Sequence, residues 1–343
     1  MSRHTSIISI VTPTYNRIEE LHHLYKSLKE QSIGDDIFEF IISDDGSTDA
    51  TAETVRKWQN DSKFKIKFIT QDNQGPGAAR NHGLKNAEGD LILFIDSDCE
   101  AHYDWIRIIY EEYKKDSFDA FGGPDSAKED FTRLQKAIDF AMTSFITTGG
   151  MRGHSEKMIS KFFPRTHNMG IKKSLYNEIG GFINLRHGQD IEFSNRIIKT
   201  GARVKFLLNA KVYHRRRTTI KQFFKQVFNW GVARINLGKI DSSMLEPIHF
   251  LPSLSIFICI ALVIFLFINN FMIYEIFLIL ITPLLMLSFF GAIKKNDFFI
   301  FPILLFVIPA QIFGYGIGFL QAYIRRFIFN QDSFVGFKKN YYK

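Results

Sequence analysis

LILFIDSDCE, residues 91–100, joins an apolar run to an acidic pair. Leu91 to Ile95 have the length and composition of a short strand buried on both faces, and Asp96 and Asp98, one serine apart, stand where that strand would end. In an open α/β sheet, ligands gather outside the carboxyl ends of the strands. Two carboxylates at such an end suit a hard cation shared with phosphate oxygens, because Mg²⁺ is commonly held by one or two carboxylates plus substrate phosphates. An acidic turn capping the next helix would carry the same letters. The D-x-D spacing alone does not separate these readings; its neighbours in the chain do.

Residues 6–11 are a β-branched run closed by Thr12-Pro13-Thr14, and Asn16 with Glu19 three residues on reads as the capped start of a helix reaching about Gln31. Residues 38–43 are apolar, 44–49 (DDGSTD) form a turn, and 50–60 suit a helix. A third apolar segment, 64–70, leads through NQGPG at 73–77 into a helix over 78–86. The strand at 91–95 is the fourth. Strands alternating with helices of this length predict a mainly parallel sheet covered on both faces, with the polar loops after the strands emerging at one edge. The loop after the first strand has neither G-x-G-x-x-G nor G-x-x-x-x-G-K-[ST], so dinucleotide-binding and P-loop enzymes are not supported.

Composition divides the 343 residues near position 249: a mixed, soluble character before it, and almost no charge after it. The net charge of +8 is uneven, since residues 203–239 hold ten Lys or Arg and no Asp or Glu. A basic segment beside a membrane is attracted to anionic lipid by about 1 kcal/mol per Lys or Arg. Nucleic acid is the competing partner for such a run, but the adjoining apolar segments favour membrane lipid and no nucleic acid. Cys99 and Cys259 are the two cysteines, which excludes a disulfide framework or a CxxC metal site. The start, MSRHTSIISIVTPTYNR, is basic, but Thr12 and Pro13 break its short apolar run. That predicts a first strand rather than a signal peptide, and a soluble part that stays in the cytoplasm.

VTPTYNR, ISDDGSTD, GPGAARN and FIDSDC, in this order and spacing, resemble the nucleotide-sugar half of the family 2 glycosyltransferases. The likeness continues through NMGIKKSLYNEIGGF and GQDIEFSNRI to VYH, and so covers residues 6–214. The resemblance implies an α/β chain of GT-A fold with a mainly parallel central sheet, followed here by an all-α transmembrane region, as in membrane-bound bacterial or archaeal members.

The resemblance also implies roles. Asp44 would read the base of a UDP-like donor: a carboxylate accepts the imide N–H of uracil and offers nothing to N3 of cytosine, itself an acceptor. Thr12, Pro13 and Tyr15 would wall the base, while Asp45 and Asp49 read as turn and cap residues. Gly75 and Gly77 let the backbone approach a ligand, and the helix after them aims its N–H groups at an anion, with Arg80 in the first turn. Asp96 would bind ribose and Asp98 a Mg²⁺ or Mn²⁺ ion, with His214 completing the metal shell; a lone histidine is also often structural. Asp190 would be the general base, removing the proton of an acceptor hydroxyl aimed opposite the leaving group. The family usually has Glu-Asp at this point; Gln189 cannot titrate, which excludes a two-carboxylate scheme. Glu192 reads as a helix-surface residue. Asn168, Gln226 and Trp230 would bind the acceptor. Gln226 and Trp230 partly match the Q-x-x-R-W signature of processive synthases, with Asn229 in place of arginine, and Trp230 equally suits a membrane-surface anchor.

Residues 250–268 carry no charge and are about long enough for a bilayer, which needs roughly 20 apolar residues. Residues 276–293 and 298–324 are further candidates, the last with Pro302 and Pro309 expected to kink it. Three spans is the direct count. With the enzyme inside, it puts Arg325, Arg326, Lys338, Lys339 and Lys343 outside, against the positive-inside tendency; two spans would remove the conflict. Phe131, Leu134, Ile138, Met142 and Phe145 fall at helical spacing and suit either an interfacial helix or one packed on the sheet.

The expected organisation is a catalytic domain over 1–214, a basic amphipathic region over 215–249, transmembrane helices over 250–324 and a basic tail over 325–343. The expected activity is inverting, metal-dependent transfer of a sugar from a nucleotide-sugar donor to a hydroxyl of a lipid-linked or polysaccharide acceptor at the cytoplasmic face, in cell-envelope glycan synthesis. Transfer to polyprenyl phosphate and a non-catalytic nucleotide-sugar-binding membrane protein are the alternatives.

Overall fold

A computed structural model of the chain describes residues 7–126, 128, 130–144, 147, 162–214, 217–268, 273–332 and 334–337. Ser6, Phe145, Arg215, Arg216, Lys338, Lys339 and Lys343 fall outside them. The described residues divide into two units, one drawn from the chain up to Lys128 and from 162–214, the other from 130–147 and 217–337.

In the first unit, β1 (Ile8–Thr14), β2 (Phe38–Asp44), β3 (Lys65–Thr70) and β4 (Leu91–Phe94) are parallel neighbours in the order β3-β2-β1-β4. Parallel strands need crossovers, and α1 (Ile18–Lys29), α2 (Thr51–Asp61) and α3 (Pro76–Asn86) supply them. Beyond β4 the sheet continues with β8 (Met169–Lys172), β6 (Ala120–Gly122) and β9 (Val204–Phe206), β8 running antiparallel to both its neighbours. Every residue of β1 and β2 is buried, which is why these strands read as apolar runs without alternation.

Their two faces feed two cores. Ile8, Ile10, Phe40, Leu91 and Leu93 pack with Leu24, Trp58 and, from α4 (Trp105–Lys115), Ile109. Val11, Ile41, Ile92 and Phe94, offset by one, pack with Leu84 and with Phe193 of α7 (Gln189–Lys199). Before α7 lies the short α6 (Lys173–Ile179). A second, three-stranded sheet has the order β5-β10-β7, from β5 (Cys99–Ala101), β10 (Val212–His214) and β7 (Asp125–Ser126).

The start of α1 differs from the capped pattern expected at Asn16. Its N-cap is Arg17, with no side-chain cap bond. Asn16 sits at φ +50° and turns its Oδ1 to the N–H of Thr48 at 2.7 Å, while the Ile18 N–H donates to Asp49 Oδ2 at 3.3 Å. The polar side chains stitch two strand-end loops together instead of closing their own helix.

The second unit holds α5 (Arg133–Thr143), α8 (Ile220–Ile240), α9 (Leu251–Ile268), α10 (Ile273–Lys294) and α11 (Phe301–Tyr323). The periodic residues Ile138 and Met142 of α5 are buried with Phe223, Leu304 and Val307, so this helix packs among helices. Small residues bring α8 and α11 together: a Cβ at Gly318 would lie 2.1 Å from the Phe228 carbonyl oxygen, and one at Gly231 2.2 Å from that of Tyr315. Two helical stretches among the described residues, Pro247–Phe265 and Phe298–Ile328, are long and apolar enough to cross a membrane; Leu278–Lys294 is a shorter apolar run. Pro302 lies in the first turn of α11, where no helical N–H is lost, so Pro309 alone interrupts that ladder. Along α9, Leu254, Phe257, Ile260 and Ile264 are each about half exposed.

Candidate active site

Asp44 closes β2 and is 3% exposed. Its Oδ2 accepts the Ser47 N–H at 3.0 Å, whereas Oδ1 is buried with no hydrogen-bond partner among the described residues. Leaving a buried acceptor unpaired costs about 1–3 kcal/mol, more for a charged group. Its neighbour Asp45 is fully engaged, accepting from Gln71 Nε2 at 2.8 Å and from the N–H groups of Gln74 and Gly75 at 2.9 and 2.7 Å. Asp49 accepts the Thr51 N–H at 3.1 Å. These two do turn and cap work.

The loop that Asp45 holds ends at Gly75, φ +93°, which turns the chain into α3 with Pro76 at its start. Arg80, one turn later, is 7% exposed rather than solvent-facing. Its Nη2 donates to Asp96 Oδ1 at 2.6 Å, its guanidinium lies 5.6 Å from the Phe182 ring, and its buried Nε has no hydrogen-bond partner among the described residues.

Two residues after Asp96, the Asp98 carboxylate is met by Arg17 Nη1 at 3.0 Å and His214 Nε2 at 3.4 Å. β10 is antiparallel to β5 with His214 opposite Cys99, which puts imidazole and thiol on one face. Ligand atoms of Asp98, Cys99 and His214 all lie within 4.8 Å of one another. A carboxylate and an imidazole nitrogen at this separation fit a divalent cation. On the other side of the ring, His214 Nδ1 lies 3.5 Å from Asp125 Oδ2, and His167 stacks on His214 at 5.3 Å between centroids.

Asp190 stands in the first turn of α7, after Gly188 at φ +83°. Its Oδ2 is 3.2 Å from Arg165 Nη1, with both side chains about one-quarter exposed. Burial pushes this carboxyl up, but the Arg165 guanidinium, with Arg80 and His167 farther off, outweighs it and holds Asp190 below the usual carboxylate range. Gln189 lies against α3: a Cβ on Gly77 would come within 2.4 Å of its Nε2. The absence of that Cβ lets the two helix starts approach.

With this geometry in view, the glycosyl transferase family 2 profile matches residues 9–180. The chain belongs to glycosyl transferase family 2. It is 25% identical, over 93% of its length and 98% of the relative's, to a Methanococcus voltae dolichyl N-acetyl-α-D-glucosaminyl phosphate 3-β-D-2,3-diacetamido-2,3-dideoxy-β-D-glucuronosyltransferase. It is 23% identical to the glycosyltransferase AglE of Haloferax volcanii, over 70% of this chain and 77% of that one. Among solved structures, the mannosyltransferase PcManGT of Pyrobaculum calidifontis, in complex with GDP-Man and Mn²⁺, aligns with a TM-score of 0.65 at 15% identity. That alignment covers 92% of this chain and 87% of that one, and the shared architecture is the GT-A fold.

Several expected site residues of this glycosyltransferase stand elsewhere. Asn168 is fully buried; its Oδ1 accepts from Trp105 Nε1 at 2.9 Å, and its Nδ2 donates to the carbonyls of Pro124 and Ala210 at 3.0 and 2.7 Å. It is a buried strut with both N–H donors engaged. Thr12 is also fully buried, donating to the Ile95 carbonyl at 2.9 Å, and Pro13 is buried in β1 opposite Ser43. Of the expected base wall, Tyr15 alone is half-buried rather than enclosed. Glu192, expected at a helix surface, is 5% exposed and pairs with Arg196 at 2.7 Å. Arg196 in turn donates to the carbonyls of Ile179 and Gly181, so the pair fastens α7 to the segment after α6.

Gln226 and Trp230 lie on α8 in the second unit, where Trp230 packs against the cluster of Ile138 and Leu304. Asn229, where the processive signature has arginine, exchanges hydrogen bonds with the backbone of Phe337 at 3.2 and 3.0 Å. Sequence reasoning missed Arg17, Asp125, Arg165 and His167. Arg17 could have been found, since it ends the VTPTYNR motif; the others stand in stretches with no motif spacing.

Proposed function

We propose that this enzyme transfers a sugar, with inversion, from a nucleotide-sugar donor, a UDP-sugar first among them, to a hydroxyl of a lipid-linked or polysaccharide acceptor. It would work as a multi-pass membrane protein with its sheet unit in the cytoplasm. One observation carries the reading: three half-open carboxylates, Asp96, Asp98 and Asp190, each face an arginine. An incompletely buried carboxylate can exchange its arginine for ligand groups where the ligand supplies a compensating charge or hydrogen bond. Cations spread along one loop edge suit a diphosphate.

Asp44, with its unpaired Oδ1, would accept the imide N–H of uracil, and Asp96 a ribose hydroxyl. Asp98 and His214 would hold a Mg²⁺ or Mn²⁺ ion, which when bound supplies Lewis-acid neutralisation of the leaving diphosphate. Arg80 and the N–H groups at the start of α3 would cradle the phosphates. Asp190 would take the acceptor proton as the acceptor oxygen bonds to the anomeric carbon and the bond to diphosphate breaks. Gln226 and Trp230 are proposed acceptor contacts. The lipid-linked acceptor is supported by the Methanococcus voltae relative, whose name specifies a dolichyl phosphate-linked sugar. The test is a labelled UDP-sugar panel incubated with membranes holding the full chain. Labelled lipid or glycan should form, and should be lost in both Asp190→Asn and Asp98→Ala; undiminished transfer in both variants overturns the mechanism.

The Arg165–Asp190 pair favours a second reading. A base held below its usual range is weak, whereas a polyprenyl phosphate is already ionised and needs none. Labelled polyprenyl-phosphate sugar formed undiminished by Asp190→Asn would select it.

A further inference from the structure

We propose that Asp125 is a positioning residue for the metal site, fixing the tautomer and ring orientation of His214 so that the Nε2 lone pair faces the cation. The inference rests on reading His214 as a metal ligand. β7 is two residues long and pairs parallel with β10, Asp125 opposite Val212. Side chains alternate along a strand, so His214, two residues beyond Val212, shares a face with Asp125. The short strand brings a carboxylate beneath the imidazole. Asp125 is 5% exposed, with Oδ2 at 3.5 Å from His214 Nδ1 and Oδ1 at 3.9 Å from His167 Nε2. Across the ring, His214 Nε2 is 3.4 Å from Asp98 Oδ1.

A neutral imidazole carries one proton, and a carboxylate facing Nδ1 stabilises the N–H there. Nε2 is then left as the acceptor, directed at the same carboxylate that would hold the cation. The stacked His167 ring, 28° from coplanar, limits rotation of His214 about its Cβ–Cγ bond. Partners of this kind orient ligating histidines and raise their basicity, and their loss typically weakens metal binding by about 10- to 100-fold.

Mn²⁺ binding to the purified full chain, without donor or acceptor, can be read from the paramagnetic resonance signal of the free ion. Asp125→Ala should weaken Mn²⁺ binding by about 10- to 100-fold, Asp125→Asn by less because its amide oxygen still accepts from Nδ1–H, and Asp125→Glu should recover part of the loss. In a His214→Ala background, Asp125→Ala should add nothing, since the residue acts through that ring. A purely structural carboxylate would give the same further loss with or without His214. Additive losses, or wild-type affinity in both Asp125→Ala and Asp125→Asn, overturn the proposal while leaving His214 a ligand. Wild-type affinity in His214→Ala overturns the ligand reading itself, and the inference with it.

Discussion

The carboxylates of the two units meet cations in different ways. In the second, Asp139 is 3% exposed on its side chain, lies on α5 beside Ile138 and Phe140, and receives Lys295 Nζ at 2.6 Å. In the first, Asp98 and Asp190 keep 14% and 26% exposure against Arg17 and Arg165. The Asp139 carboxylate is enclosed in an apolar cluster, where charge is costly to leave uncompensated. A half-open pair at a strand-end loop can exchange its arginine for a metal, a sugar hydroxyl or a phosphate. Substitutions in the first region should therefore appear in turnover, and those in the second in stability.

The largest effect tests that division directly. Asp190→Asn should lower the transfer rate by about 10²- to 10⁴-fold, the usual range for a lost general base, while the thermal midpoint of the purified protein stays near wild type. A collapsed midpoint with normal turnover per folded molecule would put Asp190 in the same class as Asp139 and break the comparison. Asp139→Ala should do the opposite, losing about 1.5–3 kcal/mol of stability with the charged hydrogen bond from Lys295 and leaving UDP binding by calorimetry unaltered. Should Asp139→Ala keep the wild-type midpoint yet fail to bind UDP, the division between turnover and stability would not hold.

Gly318→Ala should follow, at about 1–3 kcal/mol. Its Cβ would meet the Phe228 carbonyl oxygen at 2.1 Å, and backbone cannot swing aside as a side chain can. Gly77→Ala is the matched control in the first unit: the atoms nearest its Cβ would be those of the Gln189 amide, which can rotate away. Chemical denaturation of the two variants should show a clear loss for Gly318→Ala and little for Gly77→Ala. Equal losses would mean that the α8–α11 seam is no tighter than the helix starts beside the site.

Much of the first unit was legible because its signals are local. Apolar runs of strand length, a turn rich in Asp and Gly, and NQGPG before a helix each speak within ten residues, and their alternation with helices implied a mainly parallel sheet. Asp98, His214 and Asp190 stand in short motifs, and the fold brings Asp98 and His214 within 3.4 Å. What pairs with them was not legible: Arg17 and Asp98 are 81 residues apart, and nothing periodic links them. Asn168 shows the converse failure. An asparagine in a motif loop reads as a ligand contact, yet three hydrogen bonds to Trp105, Pro124 and Ala210 engage its amide, and only the tertiary fold reveals that. Glu192 was misplaced because helical spacing gives a face but cannot anticipate Arg196 neutralising a buried charge one turn later. The α5 periodicity marked an apolar face correctly but did not carry the identity of the helices it meets.

The smallest expected effect lies at a third kind of pair, on the surface of the first unit. Glu88 is 46% exposed and is held by Lys65 Nζ at 2.7 Å and Lys67 Nζ at 2.8 Å. The Lys65 hydrogen bond, then that of Lys67, draws its carboxyl from 4.5 down to about 2. A depressed folded-state value means that the stabilisation is present above pH 4.5 and is lost as pH falls toward 2, where the folded carboxylate finally takes its proton. Solvent screens a half-exposed pair, so the effect should be modest and should shrink further in high salt. The buried Glu39, bonded by Ser9 and by Lys67, is also held low against its burial and adds acid sensitivity of the same sign. Glu88→Gln should therefore flatten, without abolishing, the fall in urea midpoint between pH 4.5 and 2. A variant whose acid limb superimposes on wild type would show that exposure has already cancelled the two lysine contacts. The ranking of closed, half-open and surface pairs would then need only its first two grades.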